Sequence, residues 1–168
     1  MRRFVLFSAF TFALIATIIA DSAWVPRSAA QSATPAAAES GATTLVLNEH
    51  NLNMTDVDLG ESGASAGDLR VWGPNPLFDE ADATDTGATS QGSCVSMDAE
   101  FTCVLAETIV FPDGSTLEMQ GVQPGKPVPS MRTIIGGSGA YLGATGTIAV
   151  SPTDDLTVWT KKITIVWP

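Results

Sequence analysis

The chain has 168 residues, 45% of them hydrophobic, and carries 18 acidic against 8 basic side chains, a net charge of −10. That length suits one domain, and so acidic a surface repels phosphate backbones and excludes nucleic acid as a partner. One histidine, His50, and two cysteines, Cys94 and Cys103, supply neither a zinc cluster nor a triad with a second imidazole.

Arg2 and Arg3 precede an uncharged apolar run over residues 4–20, and Ser28-Ala29-Ala30 places small residues before Gln31. This is the layout of a secretory signal peptide over residues 1–30. A retained anchor helix is the alternative; Asp21, which closes the run, and the small-residue site favour cleavage. Residues 31–44 are Ala, Ser, Thr and Pro with a single charge and read as a flexible tether, leaving residues 45–168 as the folded domain. Without the leader, five basic residues face seventeen acids, a net charge of −12. The expected location is extracellular or periplasmic, with no stable membrane insertion after cleavage.

Past the tether, short β-branched and aromatic runs alternate with Gly, Pro and Asp, and no run of ten or more residues has helical periodicity. The first strand is expected over residues 45–54. If Leu45 and Leu47 face inward, alternation also carries Glu49, Asn51 and Asn53 inward, and His50 outward to the surface. Residues 56–67 read as a loop whose D-x-D-x-G start matches part of a calcium loop but lacks the later acidic ligands, so no metal is assigned. A second strand over 68–72 is followed by G-P-N-P-L-F and an acidic segment with Asp79, Glu80, Asp82 and Asp85, read as a solvated loop.

Strands over 89–97 and 101–111 face each other across Asp98-Ala99. If those two residues are the hairpin loop, Cys94 and Cys103 fall directly opposite at a non-hydrogen-bonded pair, where Cα atoms lie about 4.5 Å apart, within disulfide range. A loop longer by two residues preserves that pairing. With a secretory leader and an even cysteine count, a Cys94–Cys103 disulfide is preferred over two buried thiols.

Phe111-Pro112-Asp113-Gly114 is a turn signal before a fifth strand over 115–122; a proline-rich loop over 124–129 and a sixth strand over 131–135 follow. Then come five glycines in eleven residues, Gly136, Gly137, Gly139, Gly143 and Gly146, a density that excludes helix and suits a strand changing direction at a barrel corner. Strands over 145–150 and 156–167 complete eight. The expected fold is all-β, an eight-stranded antiparallel β-barrel with a lipocalin-like shape, closed so that no edge is exposed. A two-sheet sandwich has the same periodicity.

The run I-I-G-G-S-G-A-Y-L-G-A-T-G from Ile134 to Gly146 resembles the glycine signature of the allene oxide cyclase and dirigent barrel superfamily. F-P-D-G-S-T-L-E-M-Q-G from Phe111 resembles its turn and following strand; Gly67-Asp68-Leu69 with Pro76-Leu77-Phe78 resembles its G-D-L and P-L pattern; Gly92-Ser93-Cys94-Val95 resembles the G-x-C-V of plant cyclases. The resemblance implies a barrel, often trimeric, with an apolar pocket at one mouth, and a cofactor-free activity: cyclisation of a fatty-acid epoxide in the cyclases, steering of phenoxy coupling or cyclisation in dirigent proteins. The cyclase E-x-N can be laid on Glu49 and Asn51, and the dirigent His-Asp pair falls on Asn48 and Glu49. Asn75 falls near the cyclase's second-strand asparagine and Cys94 near its pocket cysteine, while Arg132 lies two positions from the dirigent arginine. A Cys94 locked to Cys103 is not a free pocket thiol.

Glu49, Asn51 and Asn75 are therefore the candidate catalytic residues, with no cofactor and no metal. An inward Glu49 in an apolar barrel is desolvated, which raises its carboxyl pKa and suits it to general acid or base work near neutrality. Trp72, Trp159 and Trp167 are candidate pocket walls, and Lys161, on the apolar stripe with Trp159, Ile163 and Ile165, is expected to snorkel to water. The partner expected is a hydrophobic small molecule, lipid-like or phenolic, and the assembly a homotrimer. Two functions are weighed: a cofactor-free isomerase or cyclase (allene oxide cyclase-like) acting by shape and a buried acid, and a non-catalytic ligand-binding or structural envelope barrel.

Overall fold

A computed structural model describes residues 41–168; the expected leader and most of the expected tether lie outside the described residues. Nine strands follow in chain order: β1 (Ala42–His50), β2 (Met54–Val57), β3 (Leu69–Phe78), β4 (Asp85–Ser96), β5 (Cys103–Val110), β6 (Thr116–Gln123), β7 (Ser130–Ser138), β8 (Thr145–Pro152) and β9 (Val158–Val166). All neighbours are antiparallel in the order β1-β9-β8-β7-β6-β5-β4-β3-β2, and β1 also pairs with β3 through Asn48↔Phe78 and Glu49↔Leu77. That pairing closes the ring: eight strands form the barrel and β2 lies outside it, along the first half of β3. Among the described residues no helix is long and apolar enough to cross a membrane.

Alternation places the core. Leu105, Ile109, Leu117, Met119, Ile134, Ile148, Ile163 and Ile165 point inward and are buried, while their neighbours Val104, Gln120, Ile135 and Val166 face out. One end of the barrel is filled by Leu77, Ile109, Leu117, Ile148 and their neighbours, each worth about 1.5–3 kcal/mol on burial. The other end holds a smaller cluster, the two cysteines and Leu105, with Trp72 and Phe101 against it.

Several boundaries differ from the sequence expectation. β1 begins at Ala42 and ends at His50, because Asn51 leaves the ladder and Asn75 Oδ1 accepts the backbone amides of Leu52 and Asn53 instead. Part of the expected 56–67 loop is strand β2, aligned on β3 by the Arg70–Asp56 ion pair at 2.6 Å. β3 runs on through Gly73 to Phe78 with a bulge between Trp72 and Asn75.

The β4–β5 register is also displaced. Cys94 lies opposite Leu105 and Cys103 opposite Ser96, so the cysteines are diagonal, not face to face. The loop is four residues, Asp98 to Phe101, closed by the Met97 amide on the Thr102 carbonyl at 2.7 Å and by Asp98 Oδ1, which accepts the amides of Glu100 and Thr102. Phe101, at φ 64°, takes the left-handed position that finishes the turn. The disulfide nonetheless joins Cys94 and Cys103 across a Cα separation of 5.6 Å, since strand twist shortens one diagonal of a ladder.

The glycine corner contains a single 3-10 turn, Gly139–Tyr141, so the exclusion of helix there holds for α-helix only. Gly146 is the corner position that tolerates no side chain: its φ is +139°, and a Cβ there would lie 2.0 Å from the Thr164 carbonyl oxygen.

Candidate functional site

Between the two apolar clusters four inward side chains from four strands meet: Glu49 of β1, Glu107 of β5, Arg132 of β7 and Lys161 of β9. Lys161, 1% exposed, lies 2.7 Å from Glu49 and also bonds Glu107; Arg132 bonds the other Glu107 oxygen. Ser90 Oγ donates to Glu107 at 2.6 Å, and Gln123 Oε1 accepts from Arg132 Nη2 at 3.1 Å. Two acids and two bases give a quartet with no net charge when all are ionised. That balance is what permits four ionisable groups in a barrel interior, where an unpaired charge would neutralise itself instead.

Lys161 does not snorkel, as the sequence suggested it would. Its stem leaves β9 at the middle of the barrel, too deep for the ammonium to reach solvent, and the two carboxylates take the place of water.

The three candidate residues from the sequence come together. Asn75 Nδ2 donates to Glu49 Oε1 at 2.8 Å and lies 3.4 Å from Asn51 Oδ1, while Asn75 Oδ1 holds the amides of Leu52 and Asn53 at 3.1 and 2.9 Å. The fully buried Asn75 thus fixes both the chain leaving β1 and the Glu49 carboxylate. Gly73 makes this possible: at φ +92°, with a Cβ position 2.4 Å from the Ser90 carbonyl, it lets β3 bulge so that Asn75 turns inward.

The protonation states differ from those burial alone would set. Burial pushes the Glu49 carboxyl up, but the charge and hydrogen bond of Lys161, then Asn75 and Arg132, outweigh it and hold the carboxyl below its ordinary value. The expected raised pKa is therefore corrected to a lowered one. Burial lowers Lys161 to about 8, against the opposing pull of Glu49, and lowers Arg132 to about 10. Of Glu49, Arg132 and Lys161, the lysine lies nearest its titration point at neutral pH.

A pocket opens from this quartet to one end of the barrel. Glu49, Arg132 and Lys161 form its floor, and Trp72, Trp159 and Leu105 stand among its walls with the Cys94–Cys103 disulfide. At the rim are Arg70, whose guanidinium lies 4.1 Å from the centre of the Phe101 ring, and Lys126 in the loop after β6. About 70 Å3 is open to the centres of water-sized molecules, several times the ~10–15 Å3 that one water needs. Trp167, expected as a third wall, packs on the filled end instead. His50 is half-buried on the outer face, stacked on Phe78 and 2.8 Å from Asp82. The acidic segment folds over Asn48, whose amide donates to the Asp79 carbonyl at 2.7 Å. Among the described residues no group of three His, Cys, Asp or Glu side chains could hold a metal ion.

Glu107 and the roles of Arg132 and Lys161 were missed from the sequence. Glu107 is in phase with Cys103, Leu105 and Ile109, so the inward face of β5 already carried an acid, and Lys161 was in phase with Ile163 and Ile165. An acid and a base interrupting two inward stripes is the signal that could have paired them.

Comparison with known proteins agrees with this architecture. The profile of the family described as dirigent-like protein matches residues 36–166. No curated protein sequence matches the chain. Among solved structures it resembles a pyocyanin demethylase at 20% identity and a TM-score of 0.63, covering 74% of this chain and 100% of that one. It also resembles the pterocarpan synthase dirigent protein GePTS1 at 21% identity and 0.62, covering 78% and 87%, and the Diels Alderase AbmU from Streptomyces koyangensis at 18% and 0.61, covering 79% and 72%. With a family profile spanning the whole closed barrel, and solved barrels sharing its shape, the chain belongs to the dirigent-like protein family.

Proposed function

We propose that this protein is a secreted barrel that takes a small hydrophobic molecule, lipid-like or phenolic, into the pocket above the Glu49–Lys161 pair and steers its cyclisation or coupling without a cofactor. The observation that carries the reading is the Glu49 carboxyl and the Lys161 amino group 2.7 Å apart at the floor of a pocket with tryptophan walls. Glu49, oriented by Asn75, accepts a proton from the bound molecule, and the Lys161 ammonium donates one to the oxygen on which charge develops. The exchange leaves the overall proton count unchanged, as an isomerisation requires. Asn51 lies beside Asn75 at the pocket wall and positions the substrate's polar edge. Neighbours named for pterocarpan synthesis and for Diels–Alder chemistry support a cyclisation on this fold.

A homotrimer is part of the proposal, supported by a row of outward apolar side chains, Val95, Val104, Val122 and Met131, on adjacent strands. A second reading, a ligand-binding or structural barrel with no reaction, is favoured by how completely Glu107 is satisfied, with Ser90, Arg132 and Lys161 all on its carboxylate.

Native mass spectrometry of the protein secreted from its own source separates the readings. A trimer that releases a hydrophobic compound on denaturation is expected, and Glu49→Gln is then expected to retain binding while slowing conversion of that compound by about 10²–10⁴-fold. A ligand-free protein that binds no member of fatty-acid and phenolic panels would leave only the structural reading.

A further inference from the structure

The charges of this protein are partitioned. Between residues 41 and 168 the sequence has five basic residues, Arg70, Lys126, Arg132, Lys161 and Lys162, and sixteen acids, all but Asp21 and Glu39 of the chain's 18. Four of those five cations line the pocket, and of the sixteen acids only Glu49 does. The acid partners of the other pocket cations stand outside it: Asp56 behind Arg70, Glu100 at 4.0 Å from Lys126, and Glu107 beneath Arg132. Each pair is thus a dipole with its positive end toward the cavity. Low-dielectric walls focus such a field, so above its neutral quartet the pocket of an acidic protein has a cationic rim.

The cations also differ in depth. Arg132 and Lys161 are buried and committed to the quartet; Arg70 and Lys126 are 29% and 72% exposed at the rim, Arg70 donating to Asp56 through Nε and Nη2 and keeping Nη1 for a ligand. Both rim cations converge on one turn, Arg70 over the Phe101 ring and Lys126 beside Glu100. Trp72 and Trp159 line the same pocket. One donor at the floor, Arg132 Nε, is buried without a hydrogen-bond partner. A neutral quartet with one free N–H suits an uncharged acceptor oxygen, and the rim suits an anion.

We propose that the ligand is an aromatic acid, its ring system lying between Trp72 and Trp159 and its carboxylate or other anionic group held at the rim by Arg70 and Lys126. This rests on the pocket being a ligand site, as proposed above, and adds the charge and ring character of what enters it. The acid group is a recognition handle; the reacting part of the molecule faces Glu49 and Lys161.

The test is calorimetric titration of the full secreted protein with 2-naphthoate and 2-naphthamide, flat molecules of equal size that differ in charge. The expected result is about ten-fold tighter binding of the naphthoate at low salt, a factor worth roughly 1.4 kcal/mol, and a preference that shrinks as salt shortens the Debye length. Lys126→Gln, on an exposed side chain where folding is not at stake, should weaken naphthoate about three- to five-fold, the scale of a surface charge pair. It should leave naphthamide unchanged, and Lys126→Arg should restore the preference. Arg70→Gln should act in the same direction, with thermal unfolding confirming that the barrel persists. Equal binding of the two probes, or a Lys126→Gln that weakens both alike, overturns the anion handle while leaving the pocket in place. Binding of neither probe overturns the aromatic-acid ligand, and the fatty-acid and phenolic panels then decide whether the pocket is a ligand site at all.

Discussion

Lys161 and Glu49 hold each other in their charged forms at a depth where neither would stay charged alone, so removing one partner strands the other. Lys161→Met, close to an isostere, leaves Glu49 and Glu107 sharing only Arg132, and a loss of about 3–5 kcal/mol is expected in urea unfolding. Adding Glu49→Gln should return part of that loss, because Glu107 and Arg132 then form a closed pair and the new amide can still meet Asn75. A double variant no more stable than Lys161→Met would show that the four groups do not act as two coupled pairs. The lysine also gives stability a pH slope. Its folded pKa, about 8, lies below the ordinary 10.5, so between those values the unfolded chain binds more protons and stability rises with pH by up to about 1.4 kcal/mol per unit. The wild type should show this rise between pH 8 and 10 and Lys161→Met should lack it. Glu49 acts at the other end: its folded pKa is depressed, and the stability this adds is lost as pH falls through that value. Glu49 was legible in the sequence because a family resemblance and strand alternation both pointed at it, and Asn75 through the resemblance alone. Lys161 was placed on the right face but given the wrong fate, since depth within the barrel, which decides whether a stem can reach water, is set by closure and not by periodicity.

At the scale of the element, β3 and the β4–β5 hairpin carry the site. Gly73→Ala must hold a side chain at φ +92° and within 2.4 Å of a carbonyl oxygen. The strain alone costs about 1–3 kcal/mol, and relief requires the bulge to move, which takes Asn75 off Glu49. The expected outcome is a lowered unfolding temperature together with a Glu49 carboxyl that titrates higher, read by carboxyl carbon NMR. A destabilised variant whose Glu49 titrates as before would mean that the bulge does not position Asn75. The disulfide spans a short loop, with a sequence separation of 9, for which loop-closure entropy predicts about 2–3 kcal/mol. Replacing both Cys94 and Cys103 by Ala should cost that much or less, since the hairpin's own hydrogen bonds already restrict the ends. The cysteine pairing was legible because two cysteines in adjacent strands have few alternatives. The register was not, because the loop is fixed by Asp98 accepting two backbone amides and by Phe101 in a left-handed conformation, a choice that the residues Asp98-Ala99 do not announce.

For the whole molecule, alternation along eight strands was enough to expect a closed barrel, yet it could not distinguish closure from a sandwich, because both bury every second side chain. What decides is the β1–β3 pairing, a contact between strands about thirty residues apart. The same alternation leaves an outward surface to account for. Val95, Val104 and Val122 lie directly opposite one another across β4, β5 and β6, each close to half exposed, with Met131 exposed on β7 beside them. Four aligned apolar side chains form a continuous patch on a surface whose other charges are mostly acidic, and such patches mark contact surfaces. A single acid at its centre should therefore break self-association while leaving the interior untouched, because residue 104 points away from the quartet. Sedimentation velocity should find the wild type as a trimer and Val104→Glu as a monomer, with the same unfolding temperature at high dilution and the same affinity for a pocket ligand. A variant that remains associated would place the contact surface elsewhere on the barrel, and one that loses ligand binding along with association would show that the pocket is completed only by a neighbouring copy.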